Sequence, residues 1–246
     1  MKRTIVVRVL AALIGWSVST TLAWADLQSL MKSAEDALRS GDSASVGSSE
    51  VASALKAALA QGAEVAVASL GRQDGFYGNP DVRIQLPGAL NLVAQGLRMA
   101  GQGDKVEAFE LSMNRAAEAA VPAALEVLTD VIADLTIQDA IGILQGEDDA
   151  ATQYLRRVGG DTIEARIRPY IAQATDQFGV TRQYKELTGG STGALGGLLG
   201  DQLDVDSYVT EQATDGLFQL IAAEERRIRQ NPAARTTELL RQVFGQ

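Results

Sequence analysis

From about residue 49 onward, apolar residues recur three and four apart almost without interruption. The pattern stops at one place, Gly71-Arg72-Gln73-Asp74-Gly75-Phe76-Tyr77-Gly78-Asn79-Pro80-Asp81-Val82-Arg83-Ile84-Gln85-Leu86-Pro87. Three glycines and an Asn-Pro pair admit backbone angles that a helix forbids, and Val82, Ile84 and Leu86 then alternate with Arg83 and Gln85 as in an extended strand. The segment is therefore expected to lie extended across helices. The pattern predicts an all-α, single-domain multi-helix bundle with one short extended crossover segment at about residues 80–87.

On either side of this stretch the helices punctuate themselves. Ser49 precedes a run with Val51, Leu55, Leu59, Ala63, Ala66 and Leu70. After the loop, Leu90, Val93, Leu97 and Met99 predict a helix that breaks at Gly101-Gln102-Gly103. Asp104 is then expected to cap its hairpin partner, with Val106, Phe109, Met113, Ala117 and Ala120. Pro122 suits the first turn of a helix through Leu125, Leu128, Ile132 and Leu135. Thr136 with Asp139 has the spacing of a capping box, opening a short helix that Gly146 closes. Glu147, Asp148 and Asp149 precede a helix with Ala151, Tyr154, Leu155 and Val158, where acids suit the positive end of the helix dipole. Asp161 and Glu164 repeat the box ahead of Ile163, Ile167, Ile171 and Phe178, and Pro169 is expected to kink or divide that helix.

The Gly189 to Gly200 tract lacks the Lys-Ser/Thr ending of a phosphate loop and follows no strand, so it reads as a loop. The last long helix starts near Asp206 and runs past Val209, Leu217, Leu220, Ile221 and Ile228. Asn231-Pro232 ends it and opens a final helix with Leu239, Leu240, Val243 and Phe244.

The N-terminus reads as a secretory signal. Lys2, Arg3 and Arg8 precede an apolar run from Val9 to Val18, and Ala23-Trp24-Ala25 fits a small-x-small cleavage site. The run is shorter than the roughly 20 residues of a membrane span, so no stable membrane anchor is expected after cleavage. The expected organisation is a cleaved leader over 1–25, a weakly docked helix and flexible linker over 26–48, and a helical domain over 49–246. The expected compartment is the periplasm.

The whole chain carries a net charge of −9, and the leader holds three of its 22 basic residues and none of its 31 acids, so the mature chain is more acidic still. Such charge opposes binding to nucleic acid. The chain has no His and no Cys, and both tryptophans lie in the leader. This removes Ser-His-Asp and Cys-His catalysis and the imidazole or thiolate ligands of most Zn, Cu and haem sites, and no cofactor is expected. Carboxylate acid/base chemistry, a Lys or Tyr base, or an all-oxygen Ca or Mg site remain open.

Four constellations stand out. The loop gathers Arg72, Asp74, Tyr77, Asn79, Asp81 and Arg83, as a binding loop or as a hydrogen-bonded crossover. In the second case Arg83 would pair with a carboxylate of a neighbouring helix, such as Glu118 or Glu224. Glu107, Glu110, Asn114 and Glu118, with Arg115, share one helix side and read as a solvated face. Glu147, Asp148, Asp149, Asp201, Asp204 and Asp206 could bind Ca or form a catalytic pair, although their spacing fits no EF-hand and capping accounts for them. Glu224 and Glu225 with the arginines up to Arg235 read as an ion-pair cluster fixing the last two helices. The polar set expected to bind or to brace the fold is Arg72, Tyr77, Asn79, Asp81, Arg83, Arg115, Glu118, Glu224 and Arg235.

Several of these stretches together resemble the secreted proteobacterial family catalogued as domain of unknown function 4197. They are Gly75-Phe76 with Asn79 to Pro87, Asn114-Arg115-Ala116-Ala117-Glu118-Ala119-Ala120, Asp148-Asp149-Ala150-Ala151-Thr152 with Tyr154, Tyr208-Val209-Thr210 through Gly216-Leu217-Phe218, and Glu224-Glu225 through Asn231 to Thr237. Gln85 stands where the family motif often has proline. The resemblance implies an exported, mainly helical envelope protein of Gram-negative bacteria, and it carries no catalytic assignment. The expectation for function is a non-enzymatic binding or scaffold module whose partner is an unidentified envelope protein or small ligand. The alternatives are a carboxylate-dependent hydrolase of an envelope glycan and an all-oxygen calcium-binding protein.

Overall fold

The three-and-four spacing of apolar residues is realised as helix throughout, in a computed structural model that describes residues 43–188 and 204–230. The chain divides into two units, Met1–Gly47 and Ser48–Gln246, and the packing described below is that of the second. Helix α1 is Ser43–Leu70, so it starts ahead of the expected Ser49. It is followed by α2 (Asn91–Met99), α3 (Gly103–Ala120), α4 (Ala124–Ala133), α5 (Ile137–Gln145), α6 (Ala150–Gln177), α7 (Val180–Thr188) and α8 (Val205–Gln230). Among the described residues there is no strand. The expected all-α fold is thus what the chain adopts. Gly189 to Gly200 and the final helix after Asn231 lie outside the described residues.

Two helices form the centre. α6 packs against α3, α4, α5, α7 and α8, and α3 also packs against α2, α7 and α8. Leu155, Ile163, Ile167 and Ile171 of α6 and Val106, Phe109 and Met113 of α3 are buried in one hydrophobic core with Leu55 and Leu70 of α1. Burial of these side chains, each contributing roughly 1.5–3 kcal/mol, outweighs local preferences. The course of α6 illustrates this. The expected box at Asp161 and Glu164 does not form, because both residues lie inside one uninterrupted helix, and Pro169 does not divide it. Ile167 and Ile171 are locked in the core on either side of the proline, which offsets the hydrogen bond lost at its ring nitrogen.

The helix ends mix local and distant caps. The box at Thr136 and Asp139 forms as expected, with Asp139 N–H donating to Thr136 Oγ1 at 3.1 Å and Thr136 N–H donating to Asp139 Oδ2 at 3.0 Å. Asp104 does not cap α3; it sits in the first turn behind Gln102, whose side chain makes no cap. At the end of α4, Lys56 Nζ reaches across from α1 and donates to the Ala133 carbonyl at 2.6 Å. Two residues expected on buried faces, Met99 and Val158, are exposed.

Candidate functional site

The stretch that breaks the helical pattern is a chain of turns followed by a short extended run. Gly71 N–H donates to Val67, Gly75 N–H to Arg72, Gly78 N–H to Asp74 and Asn79 N–H to Phe76. The turn needs Gly75, since a Cβ there would lie 2.3 Å from the Leu70 carbonyl oxygen. Asp74 precedes it at φ 61°, a left-handed conformation that Asp tolerates better than most residues. The Asn79 side chain accepts the Asp81 N–H at 3.1 Å, and its carbonyl accepts the Val82 and Arg83 N–H groups. Residues 80–82 are therefore turn, and the extended run covers 83–87, shorter than the expected 80–87. The expected alternation holds: Val82, Ile84 and Leu86 are buried and Gln85 is exposed.

Four side chains of α3, spread over three successive turns, hold this loop. Glu118 is buried, and its Oε1 accepts the Phe76 and Tyr77 N–H groups, both at 3.1 Å. Its Oε2 accepts from Arg115 at 2.5 Å, and the other arm of that guanidinium reaches Asp74 at 2.7 Å. Burial works against the charge of Arg115, yet the hydrogen bonds it donates to Glu118 and Asp74 carry its pKa above the ordinary arginine value. One turn earlier, the fully buried Asn114 acts as a strand's edge would. Its Oδ1 accepts the Ile84 N–H at 2.9 Å, and its Nδ2 donates to the Ile84 carbonyl at 2.8 Å and to the Glu110 carbonyl at 2.7 Å. Glu110 completes the row, accepting from Arg83 at 2.9 Å, with Arg98 at 3.9 Å.

This overturns the solvated face expected for Glu110, Asn114 and Glu118; only Glu107 of that set is exposed. A helix packed on most of its circumference has little face left for water, and the polar groups are retained because each is matched by loop backbone or by a cation. Arg83 does pair with a helix carboxylate, but with Glu110 rather than Glu118 or Glu224. Its guanidinium also lies 4.1 Å from the centre of the Tyr77 ring. From α8, the Tyr208 hydroxyl donates to the Gln85 carbonyl at 3.0 Å. Burial, with Glu211 and Glu110 nearby, raises the Tyr208 pKa. The loop rests on α8 as well: Phe76 is buried against Gly216, where a Cβ would come within 2.8 Å of the ring.

A second fastening repeats the chemistry of the first. Buried Glu225 of α8 accepts the Ala151 and Thr152 N–H groups at 2.9 and 2.8 Å and the Thr152 hydroxyl at 2.7 Å, and it pairs with Arg229 at 2.9 Å. Arg229 continues to the Ile143 carbonyl at 2.8 Å. The start of α6 is therefore capped from a distant helix, not by the acids that precede it. Asp148 accepts from Gln230 at 2.6 Å, while Asp149 accepts from Gln153 at 2.6 Å and faces Arg226 at 3.5 Å. The cluster expected to tie the last two helices together includes an ion pair that fastens α8 to α6.

Of the expected polar set, the structure gathers Tyr77, Asn79, Arg83, Arg115 and Glu118 around the loop. Arg72 and Asp81 are exposed beside them, and Glu224 pairs with Arg227 on its own helix. Arg235 lies outside the described residues. Among the carboxylates weighed for calcium, Asp204 accepts the N–H and hydroxyl of Ser207, and Asp206 accepts the Thr175 hydroxyl at 2.7 Å. Asp201 lies outside the described residues, and no cluster of three or more metal-binding side chains occurs among the described ones. Tyr208, Gly216 and Thr152 were not singled out for a structural role by sequence reasoning, because each acts across more than 60 residues of chain. The alanines at 116, 117 and 120, all buried, were the available signal that α3 is enclosed.

Taken together, the architecture is that of an all-α domain whose non-helical excursion is fastened to its central helix by a buried carboxylate and a buried amide. The profile of the family described as Protein of unknown function (DUF4197) matches residues 45–245, and the chain belongs to that family. No curated protein and no solved structure matches it.

Proposed function

We propose that the protein is an exported, non-enzymatic binding or scaffold module of the cell envelope. The observation that carries this reading is the commitment of its buried polar groups to architecture. Glu118, Asn114 and Glu225 each accept main-chain N–H groups from a segment remote in sequence, an arrangement that makes a rigid frame. A carboxylate holding two backbone donors and an arginine is poorly placed to exchange protons with a substrate, which weighs against the glycan-hydrolase alternative. Export rests on the leader over residues 1–25.

The test has two arms. Fractionation with intact-mass measurement is expected to find the chain in the periplasm with Asp26 as its first residue; cytoplasmic retention with the leader intact would overturn export. In the second arm, purified protein is incubated with isolated envelope glycan and, separately, crosslinked in periplasm. A reproducible crosslinked partner with no release of soluble glycan fragments is expected. Release of fragments that follows the purified protein would overturn the non-enzymatic reading.

A further inference from the structure

α1, α6 and α8 leave an apolar cleft between them. Leu59 and Gly62 of α1, Leu155 of α6, and Ile221 and Ile228 of α8 line it, with Glu224 beside them. A Cβ built at Gly62 meets nothing within 4 Å, so the α1 wall has room there for a side chain from another segment. We infer that the C-terminal segment of the same chain, residues 232–246, folds back along α8 and closes this cleft with Leu239, Leu240, Val243 and Phe244.

Chain length puts these four residues within reach. The last described residue of α8 is Gln230, and Ile228 of the cleft lies within one turn of it. Asn231-Pro232 follows at once, and a residue before proline is pushed out of the helical region, so the chain turns there. In a helical return both arms advance about 1.5 Å per residue, so residues equally far from the turn stand level. Leu239 then stands level with Glu224, and Val243 with Leu220, next to Ile221 in the cleft. Leu239, Leu240, Val243 and Phe244 are spaced so that a helix gathers them on one face, the face that the return turns toward α8 and α1.

Charge favours the same occupant. The segment carries Arg235 and Arg241 against Glu238, whereas the chain as a whole has a net charge of −9. A basic segment is drawn to the acidic body it is joined to, and the covalent link holds it there at high effective concentration. The family profile runs to residue 245, so the segment is part of the domain that the family shares and not an appendage to it.

The chain has no cysteine, so Gly62→Cys with Val243→Cys introduces one pair of thiols across the cleft. Mild oxidation at high dilution is expected to link them within one chain, as read from the masses of the tryptic fragments. The link is expected to form about tenfold faster than in the chain with Ala57→Cys and Val243→Cys, whose first thiol lies on the exposed side of α1. In the otherwise native chain, Leu240→Ser with Phe244→Ser is expected to speed amide hydrogen exchange over residues 58–63 of α1. A Gly62→Cys pair that links no faster than the Ala57→Cys pair, or that joins two chains in place of closing one, would overturn the proposal, the second result giving the cleft to another copy. Exchange over residues 58–63 that the serine substitutions leave unchanged would overturn it too.

Discussion

Asn114 stands where one side chain substitutes for a strand. Its amide meets both polar groups of Ile84 in a site closed to water, so Asn114→Ala strands a buried donor and acceptor and opens a cavity as well. Unfolding in urea is expected to show a loss of about 2–4 kcal/mol. Arg83 belongs to a milder class. Its side chain is 33% exposed where it meets Glu110, and solvent screens the pair, so Arg83→Ala is expected to lower stability by about 0.5–1 kcal/mol in the same assay. Thr214 is the opposite case, a buried hydroxyl on α8 with no hydrogen-bond partner among the described residues. Thr214→Val keeps the shape and removes the desolvated oxygen, and a gain of about 1 kcal/mol in urea unfolding is expected.

At the scale of the element, helix ends separate two kinds of cap. Asp139 and Asp204 act within their own first turns. The Thr136 hydroxyl and then its backbone N–H hold Asp139 below the usual carboxylate range, and the hydroxyl and backbone N–H of Ser207 do the same for Asp204. A carboxyl depressed in the fold stabilises it at any pH above the unfolded-state value of about 3.9, and that contribution is lost as pH falls through the lower folded value. Urea midpoints measured from about pH 7 down to pH 2 are therefore expected to fall less steeply in the Asp139→Asn, Asp204→Asn double variant than in the wild type. Near neutrality the wild type is expected to be the more stable of the two, and the difference is expected to close as pH falls and the carboxyls of the wild type become protonated. Such caps are legible from spacing: Thr136-x-x-Asp139 is visible in the string of residues. The cap of α6 is not, because Glu225 lies 74 residues beyond Ala151.

Across the whole molecule, α8 and α3 grip the loop from two sides, and Gly216 is where α8 lies close against Phe76. A Cβ at that position would stand 2.8 Å from the Phe76 ring and 3.3 Å from Val82. Gly216→Ala is expected to lower stability by about 1–3 kcal/mol, because the buried Phe76 ring must shift to admit the methyl group. It is also expected to speed trypsin cleavage after Arg72 and Arg83, which mass mapping of the first fragments would locate. A variant cleaved at the wild-type rate would mean that the loop is held without α8.

Hydrophobic period and local punctuation determined the helical class, the interruption at Gly71 to Pro87 and the box at Thr136, because these depend on neighbours within a few residues. The burial of Val82, Ile84 and Leu86 was legible for the same reason. What Glu110, Asn114 and Glu118 do was decided by tertiary structure. Their spacing marks one side of a helix, but whether that side meets water or a loop depends on how tightly α3 is enclosed by α2, α6, α7 and α8. The partner of Arg83, the distant cap at Ala151 and the exposure of Met99 share that dependence, since charge, cap and apolar residue alike take their meaning from which surface the packed core brings beside them.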